Sequence, residues 1–277
     1  MFKNEIVATL RGSSASATLR VLCAFCIFVL SFPFLSSAQQ AELNVAAASD
    51  LKFAMTELAS TYERQSSVHL NLVFGSSGSL FAQIRNGAPF DLFFSADDSL
   101  PRKLNEAGIV LGGTYQEYAV GCIVLWAAAD AKVNPSGWNS LLDPSVQKIA
   151  VANPKHAPYG RAALEALKNS GYYDQVKDKL VFGENISQAA QFVQSGNAQI
   201  GILAESLVLA PNFAPGHFWL IPFEQYTPMH QYVVVLQSSR NQQAALAFVK
   251  YVKSRPGRDI LAKFGLLPQP PKSDPAP

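Results

Sequence analysis

The order of apolar patterns along the chain predicts an α/β fold with two lobes, each a mostly parallel sheet flanked by helices. Short apolar runs that suit buried strands alternate with segments of helical periodicity, and this alternation favours parallel sheets covered by helices. The alternation occurs in two groups, which predicts two lobes. The composition, 49% hydrophobic and 15% charged over 277 residues, suits a large core and excludes disordered, collagen-like and coiled-coil chains.

The first 38 residues have the pattern of an export signal. A basic segment ends at Arg20, an apolar run covers residues 21–35, and the small residues 36–38 precede Gln39. This order is typical of a signal peptide that is cleaved before Gln39, and the apolar run is shorter than the roughly 20 residues of a membrane span. An uncleaved anchor helix is the alternative. We expect an exported, periplasmic protein.

The first group of strand–helix units follows the signal. Leu51, Met55 and Leu58 recur at helical spacing, whereas the apolar residues from Val68 to Phe74 alternate with polar ones, as in a half-buried strand. The patterns predict strands over 43–48, 68–74 and 91–96, and helices over 51–62, 80–86 and 100–107.

The second group repeats the alternation and then returns to the first lobe. The patterns predict strands over 122–127, 148–152, 199–203 and 231–236, and helices over 161–169, 187–194, 245–252 and 256–264. We place the crossovers between lobes where these strands bracket the middle of the chain. Lobe one then comprises residues 39–119 plus 237–277, and lobe two comprises residues 120–236.

The charge balance argues against a nucleic-acid partner. After position 38, basic and acidic residues number 19 each, whereas nucleic-acid-binding proteins usually carry a basic excess or a basic stripe. Cys122 is the one cysteine of this segment, so neither an internal disulfide nor a cysteine-based zinc site is expected.

Catalytic motifs are incomplete in this sequence. The segment Gly75–Ser79 resembles a nucleophile elbow, but its fifth position is serine rather than glycine. The four histidines are scattered without the spacing of a metal site. We therefore expect no catalytic residue, no metal ligated by side chains and no cofactor. An exported serine hydrolase that uses Ser77 with a histidine such as His156 is the enzyme alternative.

Four junctions between a strand and a helix carry small, polar or aromatic residues: 48–50, 75–79, 158–160 and 185–187. Each junction leaves backbone N–H groups without intrahelical partners. In open α/β sheets such junctions converge beyond the carboxyl ends of the strands. Helix N-termini that point at one place bind anions without lysine or arginine. Ordinary helix capping is the alternative interpretation.

Several segments carry a resemblance to a known family. In order along the chain they read NVAAASDLK (44–52), FGSSGSL (74–80), GAPFDLFFSAD (87–97), NPKHAPYGRAALEAL (153–167) and FVKYVKSRPGRDILAKFGL (248–266). Together they resemble the periplasmic molybdate-binding proteins of ABC importers, over nearly all of the chain after position 38.

The resemblance implies a two-lobed periplasmic binding-protein fold of type II, with molybdate or tungstate in the cleft between the lobes. It places pocket hydroxyls at Ser49 and Ser77, with Ser76 as the alternative to Ser77. It places backbone donors at Tyr159 and Ile186. A membrane permease of an ABC importer is the implied partner, and a monomer is expected.

One departure from the family pattern concerns a tyrosine. Some members have a tyrosine where this chain has Ala204, and we expect the Tyr159 hydroxyl to supply the missing donor. We expect the Asp50 carboxylate to turn away from an anion. Lys155 and Arg161 are expected either to steer the anion or to be solvated charges at a helix end.

Three further ligands remain as alternatives for the same fold, namely sulfate, phosphate and ferric iron. An iron carrier would need tyrosine pairs with acidic or histidine ligands in the cleft, and Tyr172 with Tyr173 is such a pair. Selectivity against sulfate is expected from the size of the cavity, because the two oxyanions share charge and shape.

Overall fold

Ten strands form two five-stranded sheets in residues 41–268, which are the residues that the computed structural model describes. The predicted signal peptide lies outside this range. Within it, no helix combines the length and the apolar character needed to cross a membrane. The architecture is the predicted two-lobed α/β fold.

The first sheet contains four strands that run in one direction and one that runs against them. Its order is β2-β1-β3-β10-β4, and β10 is antiparallel to both of its neighbours. The strands are β1 (Ala41–Ala48), β2 (Val68–Gly75), β3 (Leu92–Ser95), β4 (Gln116–Gly121) and β10 (Met229–Val235).

The second sheet repeats this arrangement. Its order is β7-β6-β8-β5-β9, and β5 is antiparallel to both of its neighbours. The strands are β5 (Ile123–Ala128), β6 (Ile149–Ala152), β7 (Leu180–Gly183), β8 (Ile200–Ala204) and β9 (Gly216–Leu220). The reversed strand of each sheet is the one that follows a crossover between the lobes.

Nine α-helices cover the two sheets in the described part of the chain. They are α1 (Lys52–Glu63), α2 (Ser77–Arg85), α3 (Ser99–Glu106), α4 (Pro158–Asn169), α5 (Tyr173–Val176), α6 (Ile186–Gln194), α7 (Glu205–Val208), α8 (Gln242–Val252) and α9 (Arg255–Lys263). A short 3-10 helix over Ser49–Leu51 joins β1 to α1.

Both faces of the first sheet are buried, as expected for parallel strands covered by helices. Leu43, Val45 and Ala47 of β1 pack in one apolar cluster, whereas Ala46 packs in another on the opposite face. The second lobe has its own core around Trp126, which is 1% exposed. Each fully buried large apolar side chain contributes about 1.5–3 kcal/mol, so the many buried residues of these clusters fix the sheets that carry the site.

The predicted lobe limits are wrong at the second crossover. The apolar run at 231–236 falls within the predicted lobe two, but β10 pairs with β3 and β4 of the first sheet. The physical reason is that an apolar run reports burial on both faces and not the identity of its neighbours. The first crossover follows Gly121, the last residue of β4, two positions after the predicted end of lobe one's first segment at residue 119.

Two helices begin three residues earlier than their apolar patterns predict. The helix expected from Leu80 begins at Ser77, and the helix expected from Arg161 begins at Pro158. The first turns of these helices are small or polar, so apolar periodicity does not reveal them. Ser77 and Tyr159 therefore lie in first helical turns, where backbone N–H groups have no intrahelical acceptor.

Candidate ligand-binding site

A small cavity lies between the lobes, at the carboxyl ends of strands from both sheets. Its volume is about 10 Å³, which is far below the roughly 300 Å³ of pockets for drug-sized molecules, so it suits only a ligand of a few atoms. Its lining residues are Ala48, Ser49, Asp50, Gly75, Ser76, Ser77, Ala96, Ala157, Pro158, Tyr159 and Ile186.

The four residues singled out by the sequence, Ser49, Ser77, Tyr159 and Ile186, all line this one cavity. They are 1–3% exposed, and they follow four different strands, with two in each lobe. Because parallel strands present their carboxyl ends at the same edge of a sheet, segments far apart in sequence meet here.

Three α-helices begin at the cavity. Residues Ser77 of α2 and Ile186 of α6 are the first of their helices, and Pro158 is the first of α4. Proline has no N–H group and suits this first position, so Tyr159 is the first residue of α4 that can donate. The free N–H groups and the helix dipoles give the cavity a positive potential that attracts anions.

The hydroxyls of Ser76 and Ser77 have different partners. Ser77 Oγ accepts a hydrogen bond of 3.0 Å from the N–H of Ala96, which leaves its own proton free to donate. Ser76 Oγ caps helix α2 by accepting from the Ser79 N–H at 3.2 Å, and it lies 2.9 Å from Ser79 Oγ. The Ser76 hydroxyl is therefore used within its own turn.

The Tyr159 hydroxyl does not serve the role expected for it. It donates to Asp50 Oδ2 at 3.0 Å and accepts from Gln231 Nε2 at 3.2 Å. The structure does not support the expectation that this hydroxyl replaces a donor at Ala204, because the hydroxyl already donates its hydrogen bond to the buried carboxyl group of Asp50. Only the backbone N–H of Tyr159 remains for a ligand.

The Asp50 carboxyl group is buried beside the cavity. Its Oδ2 accepts from Gln231 Nε2 at 2.8 Å as well as from Tyr159. Burial raises the pKa of Asp50 to about 6, and the hydrogen bonds from Gln231 and Tyr159 oppose this rise. Burial and the charge of Asp50 also raise the pKa of Tyr159 well above its ordinary value.

Backbone and hydroxyl contacts hold the two lobes together around the cavity. The N–H of Gly78 donates to the carbonyl of His156 at 2.8 Å, and Ser187 Oγ donates to the carbonyl of Ser49 at 2.9 Å. A Cβ atom at position 78 would lie only 2.6 Å from the His156 carbonyl oxygen. Glycine is therefore required for this close approach, and the cleft is closed.

An ion pair lies beside the cavity. Arg161 Nη2 lies 2.5 Å from Asp97 Oδ2, so this ion pair also joins the lobes. Lys155 is exposed and does not line the cavity. Among residues 41–268, His, Cys, Asp and Glu side chains do not assemble in groups of three that could hold a metal ion.

The enzyme alternative lacks the contact that it needs. A serine nucleophile requires a base within hydrogen-bond reach, but Ser77 Oγ bonds to the Ala96 N–H, and His156 Nε2 lies 3.2 Å from Glu184 Oε2. The tyrosine pair considered for iron is also placed elsewhere. Tyr172 donates to Asn139 and stacks on Trp138, away from the cavity.

Sequence reasoning missed two participants in the site. Ala96 fixes Ser77, and Gln231 fixes Asp50, although Gln231 lies in an apolar strand more than 180 positions away. No local signal marks either residue. The pairing of β10 with β4 places Gln231 opposite Ala119, near the first crossover between the lobes.

Known proteins are similar to this chain in sequence. The family described as bacterial extracellular solute-binding protein matches residues 43–267. The molybdate-binding protein ModA of Azotobacter vinelandii is 37% identical over 230 residues, which are 83% of this chain and 91% of that protein. The molybdate-binding protein ModA of Rhodobacter capsulatus is 35% identical over 83% of this chain and 90% of that protein.

Solved structures agree with this relationship. The periplasmic molybdate-binding protein of Azotobacter vinelandii superimposes with a TM-score of 0.78 at 32% identity, covering 82% of this chain and all of that one. The sulfate-binding protein SubI of Mycobacterium tuberculosis, at 18% identity and a TM-score of 0.71, shows the shared fold alone. The chain belongs to the bacterial extracellular solute-binding protein family, in the group that contains the molybdate-binding proteins.

Proposed function

We propose that this protein captures molybdate, and tungstate by the same chemistry, in the periplasm and delivers it to the permease of an ABC importer. The observation that supports the proposal is that Ser49, Ser77, Tyr159 and Ile186, from four chain segments, line one small cavity. The relatives at 35–37% identity over most of their length are molybdate-binding proteins.

The proposed ligands of the oxyanion are the hydroxyls of Ser49 and Ser77 and the backbone N–H groups of Tyr159 and Ile186. A doubly charged oxyanion accepts hydrogen bonds at every oxygen, and each hydrogen bond to a charged group contributes about 1.5–3 kcal/mol. The costs of removing the ion from water and of ordering the site reduce this gross gain to the net affinity. Molybdenum is then held through its oxygens, without any side chain on the metal itself.

The same proposal covers the wider role of the protein. It acts as a carrier rather than as an enzyme, it needs no cofactor, it works as a monomer, and it has no nucleic-acid partner. Residues 1–38 direct export and are removed. The lobes divide after Gly121 and again between β9 and β10, so that closure of the cleft changes the surface presented to the permease.

The test is a ligand screen on the purified protein without its first 38 residues. Thermal unfolding is followed with molybdate, tungstate, sulfate and phosphate, because a ligand that binds the native state alone raises the midpoint. We expect molybdate and tungstate to raise the midpoint by several degrees and sulfate and phosphate to leave it unchanged. A rise with sulfate or phosphate alone would assign the cavity to that oxyanion instead.

A further inference from the structure

Asp50 is the only aspartate, glutamate, lysine, arginine or histidine among the eleven described residues that line the cavity. An ionised carboxylate at this place would repel an oxyanion, and it would do so in a buried setting where water screens little. The side chain is 1% exposed. The protein therefore has to compensate this charge or remove it.

The two oxygens of the Asp50 carboxyl group differ in their hydrogen-bond partners. Oδ2 accepts from Gln231 and Tyr159, whereas Oδ1 has no hydrogen-bond partner among the described residues. Gln231 is itself oriented by Tyr118, whose hydroxyl donates to Gln231 Oε1 at 2.6 Å. The amide of Gln231 thus presents its NH₂ group to Oδ2, and Oδ1 is left as the free position.

The groups packed around Asp50 do not neutralise it. Tyr118 on β4 and Tyr159 on α4 are tyrosines whose pKa values are raised by burial and by the charge of Asp50. Glu205 opens α7 and has its own pKa raised by burial. Cys122, which lies between β4 and β5, has its pKa raised by burial and by Glu205.

The remaining neighbours add no cation. Helix α6, which packs against the 3-10 helix of Asp50, contains no titratable residue. Helix α1 begins with Lys52, whose side chain is exposed and lies over the ring of Phe53, with Nζ 5.8 Å from its centroid. On β10, His230 is exposed and pairs with Glu117 at 2.7 Å.

We propose that Asp50 binds the oxyanion as a neutral carboxyl group, which carries a proton on Oδ1 and donates it to the ligand, and that the protein takes up this proton when the ligand binds. This inference rests on the proposed function. The reaction transfers one proton from solvent to Oδ1 and makes or breaks no other covalent bond.

The position of the pKa makes this uptake measurable. The pKa of Asp50 is already raised to about 6 without a ligand, and a bound anion raises it further because like charges disfavour ionisation. At about pH 8 the free protein is ionised at Asp50 and the complex is protonated, so uptake approaches about one proton. Affinity then falls by up to about tenfold for each pH unit above about 6 and is constant just below it.

The experiment is calorimetric titration with molybdate at about pH 8 in buffers of different ionisation enthalpy, which counts the protons taken up. Wild type is expected to take up about 0.5–1 proton per ion, and Asp50→Asn about none, because its amide donates without titrating. Asp50→Ala, which lacks a donor, is expected to bind about 10- to 100-fold more weakly than Asp50→Asn.

The matched control is Asp91→Asn. Asp91 is buried in the same lobe and bonds to Ser239 and to the N–H of Asn44, outside the cavity, so this variant keeps the proton uptake. A second measurement needs no variant. The infrared difference spectrum of wild type is expected to gain the C=O band of a protonated carboxyl group when molybdate is added.

Each outcome decides between the proposals. Equal proton uptake by wild type and Asp50→Asn, or no new carboxyl band, overturns the role of Asp50 while leaving molybdate binding intact. Binding of hydrogen phosphate that is lost in Asp50→Asn overturns it too, because it would show an ionised Asp50 that accepts a proton. If neither molybdate nor tungstate binds at any pH, both proposals are wrong.

Discussion

The two lobes line the same cavity with different kinds of group. In the site that we propose, lobe one supplies side-chain hydroxyls, from Ser49 and Ser77, together with the carboxyl group of Asp50, whereas lobe two supplies the N–H groups of Tyr159 and Ile186 at the starts of two helices. The sheets behind them have the same order and the same single reversed strand. Equivalent scaffolds thus carry chemically different walls.

This difference determines how each wall can be tested. A side-chain donor is removed by replacing one side chain, and the backbone stays in place. A backbone donor persists through most substitutions, so only proline removes it. Ligand binding by lobe one is therefore expected to respond to side-chain substitutions. Ligand binding by lobe two is expected to respond to changes in the position of its helix N-termini.

The largest expected effect on molybdate affinity comes from preventing closure of the cleft between the two lobes. In Gly78→Ala the new Cβ would lie 2.6 Å from the His156 carbonyl, and overpacking costs up to about 3 kcal/mol. We expect molybdate affinity to fall by about 100-fold, as measured by calorimetry. Small-angle scattering is expected to show a larger radius of gyration with ligand than wild type has.

Gly112→Ala is the control for that substitution. A Cβ at position 112 meets no atom within 4 Å, and the backbone there does not require glycine, so affinity is expected to match wild type. Full affinity in Gly78→Ala would show that the contact between Gly78 and His156 is not needed for binding.

Next in size is the loss of a hydroxyl from lobe one. Ser77→Ala removes a donor and is expected to weaken molybdate binding by about 10- to 100-fold. Ser76→Ala removes the cap of α2 and is expected to lower stability by about 1 kcal/mol, with a smaller change in affinity. Calorimetry and thermal unfolding of both variants separate the two effects, and a larger affinity loss in Ser76→Ala would assign the ligand to Ser76.

The wall of lobe two is tested by Ile186→Pro. Proline suits the first position of a helix, and Asn185 has the extended conformation that precedes proline well, with φ −146° and ψ 177°. Loss of the N–H donor is expected to weaken molybdate binding by about tenfold. Ile186→Val keeps the N–H group and is the calorimetric control, so equal losses in both variants would assign the effect to packing.

The smallest effect is expected at the rim of the cleft. The pair Arg161–Asp97 joins the lobes but is partly exposed, and such pairs contribute about 0–1 kcal/mol. Asp97→Asn is expected to raise the rate of molybdate release by less than about fivefold, and high salt should abolish the difference. Arg102→Gln breaks the neighbouring pair with Asp98 inside lobe one and should leave the release rate unchanged in stopped-flow measurements.

Much of the fold can be predicted from local sequence because the spacing of apolar residues indicates which face of each helix or strand is buried. The strand β1 and the helix α1 follow directly from apolar spacing, and their bounds lie within about two residues of expectation. The strands β4, β7 and β9 were not predicted. β7 and β9 are the edge strands of the second sheet, and each contains only three consecutive apolar residues, fewer than the roughly four to eight that indicate a buried strand.

What sequence could not supply is the partner of each polar group. The strand–helix junctions indicate the four segments of the site, and the family resemblance indicates the individual residues within them. These residues line one cavity because the topology brings the strand ends together. The Tyr159 hydroxyl donates its hydrogen bond to Asp50, more than 100 positions away. Long-range hydrogen bonds of this kind depend on the completed fold, so an unassigned donor in a sequence cannot be matched to its acceptor.

The connectivity of the two sheets sets an order for their assembly. All strands of the second sheet come from one continuous stretch, β5 to β9, so that sheet can form once Leu220 has been synthesised. In the first sheet β4 reaches β3 only through β10, which is made after the whole second lobe. The nascent chain therefore holds β4 without its neighbour while the second lobe is being made, and unpaired strand edges of this kind favour aggregation.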